Sequence, residues 1–273
     1  MQPEHLPTWE AFEGRLQELV ADRDRRQQAT EMHVSNLLFR GHADSSWQLE
    51  TTLERYPGQS MKAGDYFRAV HAAKYQIESL TGLSWSMPSP PEYLNWLNAE
   101  DAFGLGDLPG DEYMIYLRHH GFPSPLLDWS RSAYVAAFFA FRNALSQATS
   151  VAIYAFLEYV GGAKVGSTGA PRIIGRGPYV RSHRRHFVQQ CEYTICTVRR
   201  DEHWYYASHE AAVAAREGAQ DLLWKFSIPT SERLKALRIL ERYNVNAYSL
   251  FGSEESLVET MAVRELLLQQ WTL

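Results

Sequence analysis

The chain has 273 residues, of which 45% are hydrophobic and 13% aromatic, and its formal net charge at pH 7 is −5. This length and composition allow a large buried core, and the negative charge excludes a globally basic nucleic-acid-binding protein. No segment has the uninterrupted apolar length of a transmembrane helix, and residues 1–24 lack the basic start and apolar run of a signal peptide. Cys191 and Cys196 lie five residues apart in one segment, so no disulfide is expected. We therefore expect a cytoplasmic protein that does not bind a membrane.

Hydrophobic spacing predicts helices and strands in an order typical of an α+β protein. Residues 1–29 are predicted to form an N-terminal helix that packs on one domain, residues 30–273. The expected sheet is small and mixed or antiparallel, with helices around it. In chain order, the predicted elements are a helix over 9–26, a strand over 34–39, helices over 66–80 and up to 119–120, an extended segment through 126–127, a buried helix over 136–141, strands over 151–156 and 222–228, and helices over 231–243 and 257–271.

Arg40 and Gly41 follow the apolar run 34–39, which reads as a buried strand. Arg40 is then expected at the end of that strand, where its guanidinium offers a planar fork of donors for phosphate or carboxylate. Glycine at 41 allows backbone or ligand to approach closely. The sequence is therefore compatible with an anion site, and the alternative is a salt bridge from Arg40 to a nearby Asp or Glu.

A second polar cluster follows the helix that ends at His119 and His120. Gly121 is a natural helix C-terminal cap, and the prolines after it impose an extended chain. Asp128 and Ser130 then stand at a predicted strand-to-helix corner, where Ser130 or the nearby Ser132 can cap the next helix.

Adjacent histidines with an aspartate also suggest a metal site or a general base, and hence a metal-dependent nuclease or hydrolase. Neighbouring helix residues point about 100° apart, whereas helical metal ligands are spaced three or four residues apart. We therefore expect no metal, with one of His119 and His120 bonded to Asp128 and the other solvated.

Several spaced motifs together resemble the FRG domain family. They are Phe39-Arg40-Gly41, His119-His120-Gly121 and Leu126-Leu127-Asp128-Trp129-Ser130 before an Ala/Phe-rich helix. Residues 185–193 are similar to the family's Arg-x-x-x-Gln-Gln-Gly-x-Phe segment, with Cys191 in place of glycine and Tyr193 in place of phenylalanine. Residues 250–257 match the family's C-terminal motif only loosely. The resemblance spans roughly residues 30–265.

The order of these motifs is also similar to that of ADP-ribosyltransferases. In those enzymes a strand-end arginine, a serine strand before an Ala-rich helix, and a strand with Glu-x-Glu or Gln-x-Glu follow one another. Here Arg40, Ser130 and Gln190-Cys191-Glu192 stand in that order. The resemblance implies a split sheet of the ADP-ribosyltransferase kind and an enzyme that uses NAD to modify a macromolecule. The reaction class in turn implies a toxin or an antiphage defence effector.

This resemblance assigns roles to individual residues. Arg40, with Gly41 and Ser130, would hold NAD, and Ser130 would order the arginine or the acid. Glu192 would stabilise the cationic ribose, although Glu254 is an alternative acid. The expected substrate-binding residues are Gln190, two residues before Glu192 on the same strand face, and Gln189, Asp128, His119, His120 and Arg185. The structural alternatives are a polar edge strand for Gln190 and Glu192, and a helix cap for Ser130.

Seven arginines and one acid, Glu192, lie between Arg172 and Arg200, interleaved with aromatic residues. Such a tract suits phosphates and stacked bases, so it predicts an RNA or single-stranded DNA acceptor, with a solvated loop as the alternative for its glycine-rich part. An acidic inhibitory partner protein would be attracted by the same charges. A non-catalytic nucleic-acid or nucleotide sensor remains the main alternative function.

Overall fold

A computed structural model describes residues 1–56, 61–99, 102–104, 108–143, 145, 147–164, 169–180, 184–215 and 220–269. The helices are α1 (Trp9–Gln28), α2 (Ala63–Thr81), α3 (Pro90–Leu97), α4 (Asp111–His119), α5 (Ala133–Phe141), α6 (Arg184–Val188), α7 (His209–Ala214), α8 (Arg233–Arg242), α9 (Ala247–Phe251) and α10 (Glu254–Ala262). The strands are β1 (Glu4–His5), β2 (Leu38–His42), β3 (Leu126–Ser130), β4 (Ser150–Leu157), β5 (Arg172–Arg176), β6 (Cys191–Arg200), β7 (His203–Tyr206) and β8 (Leu222–Pro229). None of the helices in these ranges is both long and apolar enough to cross a bilayer.

The last helix differs from its prediction over 257–271. It begins earlier, at Glu254, because the Ser253 side chain accepts a hydrogen bond from Ser256 N and caps the helix. It ends at Ala262, where a π-helical turn, Val263–Leu268, replaces regular α-helix.

The strands confirm the α+β class, but the expectation of a small sheet is wrong. The described strands form one mixed eight-stranded sheet in the order β1-β8-β4-β2-β3-β6-β5, with β7 paired to β6. The β1–β8 pair is parallel, and the other described pairs are antiparallel. The sheet is larger than expected because residues 172–176 and 191–206 contribute β5, β6 and β7.

The middle of this sheet is split. Over the described strands, β2 and β3 are paired at one position, Phe39 with Ser130. By contrast, β2 pairs with β4 at five positions and β3 pairs with β6 at five. The two central strands therefore diverge toward His42 on β2 and Leu126 on β3, which leaves a cleft between two halves of the sheet.

Buried apolar clusters on both faces hold the sheet in place. One cluster joins α1, α5 and α8 to the sheet and includes Trp9, Phe141 and Phe226. A second packs α2, α3 and α4 against β3 and β6. A third, around Trp129 and Tyr154, covers another part of the sheet. The central strands therefore diverge within a packed scaffold that fixes their positions.

Gly41 is explained by the close packing of α5 on β2. A Cβ atom at this position would overlap the Ala136 carbonyl oxygen and lie 2.7 Å from Ala140 N. Both atoms belong to the α5 backbone, which cannot move aside as a flexible side chain could. The close approach expected at Gly41 is therefore that of a helix backbone.

Candidate functional site

The split between β2 and β3 opens into a cavity of about 280 Å³. It is lined by β2, β3, α5, the loop after β2 and the turn before β6. The lining residues are Phe39, Arg40, Gly41, His42, Ala43, Trp47, Arg55, Asp128, Trp129, Ser130, Val135, Ala136, Phe139, Asn143, Leu145, Gln189 and Cys191. Of the predicted site residues, the cavity brings together Arg40, Gly41, Asp128, Ser130 and Gln189.

Arg40 lies within β2, because the strand continues to His42. The expectation that Arg40 ends its strand is therefore wrong. Its Nη1 donates hydrogen bonds to the Asp128 carbonyl oxygen at 2.8 Å and to the Asp128 carboxylate, and its Nε donates to His42 Nε2 at 3.1 Å. The guanidinium thus spans the split, and the salt bridge considered for Arg40 is confirmed.

Asp128 is held by a second arginine, which sequence reasoning did not identify. Arg118 on α4 donates from Nη2 to the Asp128 carboxylate at 2.6 Å. Burial raises the pKa of Asp128, but the facing Arg118 and Arg40 outweigh burial and hold this pKa well below its usual range. Asp128 therefore stays ionised and does not exchange a proton with a substrate at neutral pH. Two arginines against one carboxylate leave one excess positive charge beside the cavity.

Two residues of the loop after β2 add a further cation and an aromatic ring. Arg55 is exposed, and no carboxylate in the described ranges forms an ion pair with it. The Trp47 side chain is 44% exposed. Neither residue belongs to a motif, and the loop that carries them gives no periodic signal, so only the folded chain reveals that they line the cavity.

The Ser130 hydroxyl forms two hydrogen bonds within the protein. Its buried Oγ donates to the Gln189 carbonyl oxygen at 2.7 Å and accepts from Ser132 N at 3.0 Å. The expectation that Ser130 orders Arg40 or the acid is therefore wrong, because the hydroxyl fixes the end of β3. The helix cap is Ser132, whose Oγ accepts from Val135 N.

The two glutamines play different parts from those expected. Gln189 is buried, and its Nε2 donates to the Leu250 carbonyl oxygen at 3.0 Å, which ties the turn before β6 to α9. Gln190 has φ of 50° and precedes β6, which begins at Cys191. Gln190 and Glu192 therefore do not share one strand face, because Gln190 is itself a left-handed turn residue before the strand.

Glu192 does not line the cavity. It lies on β6 opposite Trp129, and its carboxylate accepts a hydrogen bond from the Arg131 guanidinium. Its nearest described neighbours include Gly177, where a Cβ would lie 3.4 Å from Glu192 Cα. The alternative acid, Glu254, is exposed at the first turn of α10. The predicted arginine, Arg40, therefore lines the cavity, whereas the predicted acid, Glu192, follows the lining residue Cys191 and does not itself line the cavity.

The adjacent histidines point apart, as expected, but neither bonds to Asp128. His119 Nε2 forms a 2.7 Å hydrogen bond with the Tyr193 hydroxyl, and His120 Nδ1 donates to the Tyr116 carbonyl oxygen at 2.7 Å. Burial lowers the pKa of His119 to about 4, so this ring is neutral at pH 7. In the part of the chain that the structure describes, no three His, Cys, Asp or Glu side chains are grouped to hold a metal ion.

The arginine tract is distributed over several elements. Arg172 and Arg176 lie on β5, and Arg199 and Arg200 end β6. Arg184 and Arg185 lie on α6, whereas Arg181 is outside the described residues. Arg176 is buried, and the Arg185 guanidinium lies 5.3 Å from the centre of the Phe251 ring.

An exposed part of this tract is rich in aromatic surface. Tyr179 is 98% exposed and Phe187 on α6 is 64% exposed, beside the exposed Arg184. His186 Nε2 donates to the Pro178 carbonyl oxygen at 3.0 Å, which holds the segment of Tyr179 against α6. We call Tyr179, Arg184 and Phe187 the aromatic patch.

One family model matches part of the chain. No curated protein matches the chain, and no solved structure matches it. The matched family segment contains Arg40, Gly41, Asp128 and Ser130, whereas residues 185–193 and 250–257 lie beyond it. The resemblance drawn from Phe39-Arg40-Gly41 is thereby confirmed: residues 35–149 match the family model of the FRG domain.

Proposed function

We propose that the cleft binds NAD and that the chain transfers ADP-ribose from NAD to a macromolecule. The observation that carries this proposal is the split between β2 and β3, with an excess of positive charge on its walls and an exposed indole at its mouth. A split sheet with an arginine on one central strand supports the likeness to ADP-ribosyltransferases. A toxin or defence effector is the biological role that this reaction class implies.

The chemistry of the cleft suits a nucleotide. Arg40 and Arg118 exceed Asp128 by one charge, and Arg55 adds a second cation at the mouth, so phosphate oxygens would be attracted there. Trp47 offers a ring face for a base or a pyridine. The volume of about 280 Å³ is just below the range of about 300–1,000 Å³ typical of ligand pockets. It would therefore hold part of a dinucleotide, with the remainder at Trp47 and Arg55.

The proposed reaction breaks the bond between ribose C1′ and the nicotinamide nitrogen. The bonding electron pair leaves with nicotinamide, which becomes neutral, and positive charge develops on the ribose. The acceptor oxygen or nitrogen then bonds to C1′ and releases its proton to water. A carboxylate near C1′ stabilises this charge. We assign that role to Glu192, because it neighbours the cavity-lining Cys191. Its ion-pair partner, Arg131, is partly exposed and can leave Glu192 for another partner.

The aromatic patch supports a single-stranded RNA or DNA acceptor. Tyr179 and Phe187 offer exposed ring faces for bases, and Arg184 offers a cation for phosphate. The segment of Gly177 packs on Glu192, so the patch begins beside the proposed acid. An acidic protein inhibitor would compete for the same arginines.

The test is incubation of the purified chain with NAD labelled on its adenylate, with RNA, single-stranded DNA and cell lysate as separate acceptors. We expect label on one acceptor class, release of nicotinamide, and loss of both with Glu192→Gln. Glu202→Gln is the matched control, because Glu202 is also paired with an arginine, Arg199, but is far more exposed. Equal labelling by Glu192→Gln and the control would remove Glu192 from the reaction.

A non-catalytic nucleotide sensor is the second candidate. One observation that favours it is the position of Glu192 outside the cavity. Another is that two arginines neutralise Asp128, which is the carboxylate among the described lining residues. Binding of NAD by calorimetry with no release of nicotinamide would support the sensor.

A further inference from the structure

Trp47 is an exposed aromatic residue whose backbone is fixed. It lines the cavity and is 44% exposed. The Trp47 carbonyl oxygen accepts two hydrogen bonds, from the Tyr154 hydroxyl at 3.1 Å and from Lys225 Nζ at 3.0 Å. Its backbone N–H donates to the Asp44 carbonyl oxygen at 3.3 Å. The chain at Trp47 is therefore held by β4 and β8, whereas the residue presents exposed surface to a ligand.

Lys225 is a buried cation that forms no ion pair with any described carboxylate. It is 7% exposed, and its Nζ lies 5.2 Å from the centre of the Tyr154 ring. Burial lowers the pKa of Lys225, against the opposing effects of Glu210 and Asp44, neither of which lines the cavity. A methionine of similar length would be buried here without the cost of desolvating a charge. The lysine is therefore explained by its hydrogen bond to the Trp47 carbonyl oxygen.

The charges on the cavity wall disfavour a cationic ring beside Trp47. Among the described lining residues, the charged side chains are Arg40, Arg55 and Asp128, which leave one excess positive charge. His42 adds none, although its ring centre lies 6.1 Å from that of Trp47. Burial lowers the pKa of His42 to about 3, and its Nε2 accepts from Arg40 Nε, so the neutral ring is protonated on Nδ1. Because like charges repel, a neutral aromatic base is favoured over a pyridinium.

The position of Trp47 relative to the sheet favours the same arrangement. Its ring neighbours His42, the last residue of β2, at the end where β2 and β3 diverge. Glu192 lies on β6, and β3 separates β6 from β2. Two strand spacings, about 10 Å in all, thus lie between His42 and Glu192. The two rings of a dinucleotide are at opposite ends of the molecule, so a nicotinamide beside Glu192 places the adenine toward Trp47.

We propose that Trp47 stacks on the adenine of the bound nucleotide and so orients NAD with its nicotinamide end toward Glu192. Trp47 is then the residue that recognises the base. Tyr154 and Lys225 are positioning residues, which act through the Trp47 carbonyl oxygen. The arginines of the lining hold the phosphates between the two ends. The inference rests on the proposed nucleotide site, but it does not depend on transfer of ADP-ribose.

Three probes separate recognition of the base from recognition of phosphate. ADP carries adenine and two phosphates, pyrophosphate lacks the base, and nicotinamide mononucleotide carries the cationic pyridine ring. We expect Trp47→Ala to weaken ADP binding about tenfold in calorimetry and to leave the affinities for the other two probes within about twofold. Trp47→Phe should retain most of the ADP affinity, because it keeps a ring face. Tyr56→Ala is the control, since Tyr56 is 60% exposed on the same loop but does not line the cavity.

The outcomes distinguish the inference from the proposed function. Equal losses for ADP and pyrophosphate, a loss confined to nicotinamide mononucleotide, or unchanged ADP affinity in Trp47→Ala would each overturn the inference. A wild-type chain that binds ADP without consuming NAD would refute the transferase and leave the Trp47 test intact. A wild-type chain that binds neither ADP nor NAD would refute both.

The positioning role has its own test. Tyr154→Phe and Lys225→Met each remove one hydrogen bond to the Trp47 carbonyl oxygen. We expect each to weaken ADP binding about threefold and to leave pyrophosphate binding unchanged, whereas a merely structural role would lower both affinities together. Full ADP affinity in both variants would remove the positioning role.

A spectroscopic measurement tests the stacking itself. In a chain labelled with fluorotryptophan, the ¹⁹F NMR signal of Trp47 is assigned as the one that is missing in Trp47→Phe. This signal should shift when ADP is added and stay in place when pyrophosphate is added, because only ADP brings a ring onto the indole. A Trp47 signal that ADP leaves unchanged would contradict the assignment.

Discussion

Among the described residues, two clusters of three charged side chains differ in how the protein satisfies them. In the first, which we call the closed cluster, Lys164 Nζ lies 2.8 Å from Glu158 and 2.7 Å from Asp221. The Ile173 carbonyl oxygen accepts from the same Nζ at 2.7 Å, and Gly175 N donates to the Glu158 carboxylate at 3.0 Å. Backbone groups of β5 thus complete the closed cluster, which joins the residue after β4, Glu158, to β5.

The second, which we call the cleft cluster, consists of Arg40, Arg118 and Asp128. Its excess charge is positive, and the lining of a cavity of about 280 Å³ includes Arg40 and Asp128. The closed cluster has its excess negative charge met by a backbone amide, whereas the excess charge of the cleft cluster faces open space. A ligand site is therefore indicated by charge that the protein itself leaves unbalanced beside a cavity.

The largest effect is expected in the closed cluster. Lys164→Met leaves two buried carboxylates, Glu158 and Asp221, without their cation, so the free energy of unfolding should fall by about 4 kcal/mol in denaturant titration. Nucleotide binding should not change. Lys235→Met is the control, since Lys235 also contacts two carboxylates but is partly exposed, and its loss should cost less than about 1 kcal/mol. Equal losses of unfolding free energy in the two variants would show that burial of the closed cluster does not increase the contribution of its lysine to stability.

A smaller loss is expected in the cleft cluster. Asp128→Asn leaves Arg40 and Arg118 without a carboxylate, so the free energy of unfolding should fall by about 3 kcal/mol. This loss is smaller than that in the closed cluster because Asp128 is partly exposed. Binding of ADP should survive or improve, because the cleft becomes more positive. Asp65→Asn, which removes an exposed partner of Arg68, should change stability by less than about 0.5 kcal/mol. A loss of ADP binding in Asp128→Asn at a temperature where it is folded would contradict a purely organising role for Asp128.

Acid should affect the cleft, where His42 lies beside the cleft cluster, and the closed cluster in opposite directions. Burial lowers the pKa of His42 from 6.5 to about 3, so below pH 6.5 the unfolded chain binds a proton that the folded chain does not. This favours unfolding by up to about 1.4 kcal/mol per pH unit for this histidine. The lowered pKa of Asp128 acts in the same direction at lower pH, because its stabilisation is lost as pH falls below the ordinary value of 3.8.

In the closed cluster, burial raises the pKa of Asp221 despite Lys164, so protonation in acid relieves a cost of the folded state. We therefore expect the protection factors of amide hydrogens, which correct for slower intrinsic exchange at lower pH, to fall between pH 7 and pH 5 in β2 and β3 more than in β5. An equal fall throughout the sheet would indicate global unfolding and remove the distinction between the clusters.

The smallest effect on stability is expected from Arg55→Ala. Arg55 is exposed, so the free energy of unfolding should stay within about 0.5 kcal/mol of wild type. Binding of ADP should weaken about tenfold, because a cation at the cleft mouth is lost. Arg25→Ala on the exposed face of α1 is the control and should change neither quantity. Unchanged ADP affinity in Arg55→Ala would place the phosphates away from the mouth.

Sequence periodicity predicted the regular elements well where one apolar face or run sets the period. The predicted helix over 9–26 and strands over 151–156 and 222–228 are present as α1, β4 and β8. The strand containing Arg40 was placed too early, because the alternation continues through the polar residues Arg40 and His42. Gln190 was placed on a strand because nothing in its sequence neighbourhood indicates a left-handed residue.

What the sequence by itself determined is local: the α+β elements, the buried α5, the strand-to-helix corner at Ser130, and two possible roles for Arg40, in an anion site or in a salt bridge. Only the tertiary structure decided that Arg40 meets Asp128, 88 residues away, that Arg118 joins them, and that Trp47 and Arg55 stand at the cleft mouth. It also decided the tautomer of His42. The physical reason is that hydrophobic periods and caps act over a few residues, whereas the partner of a charge is set by which distant elements pack against it.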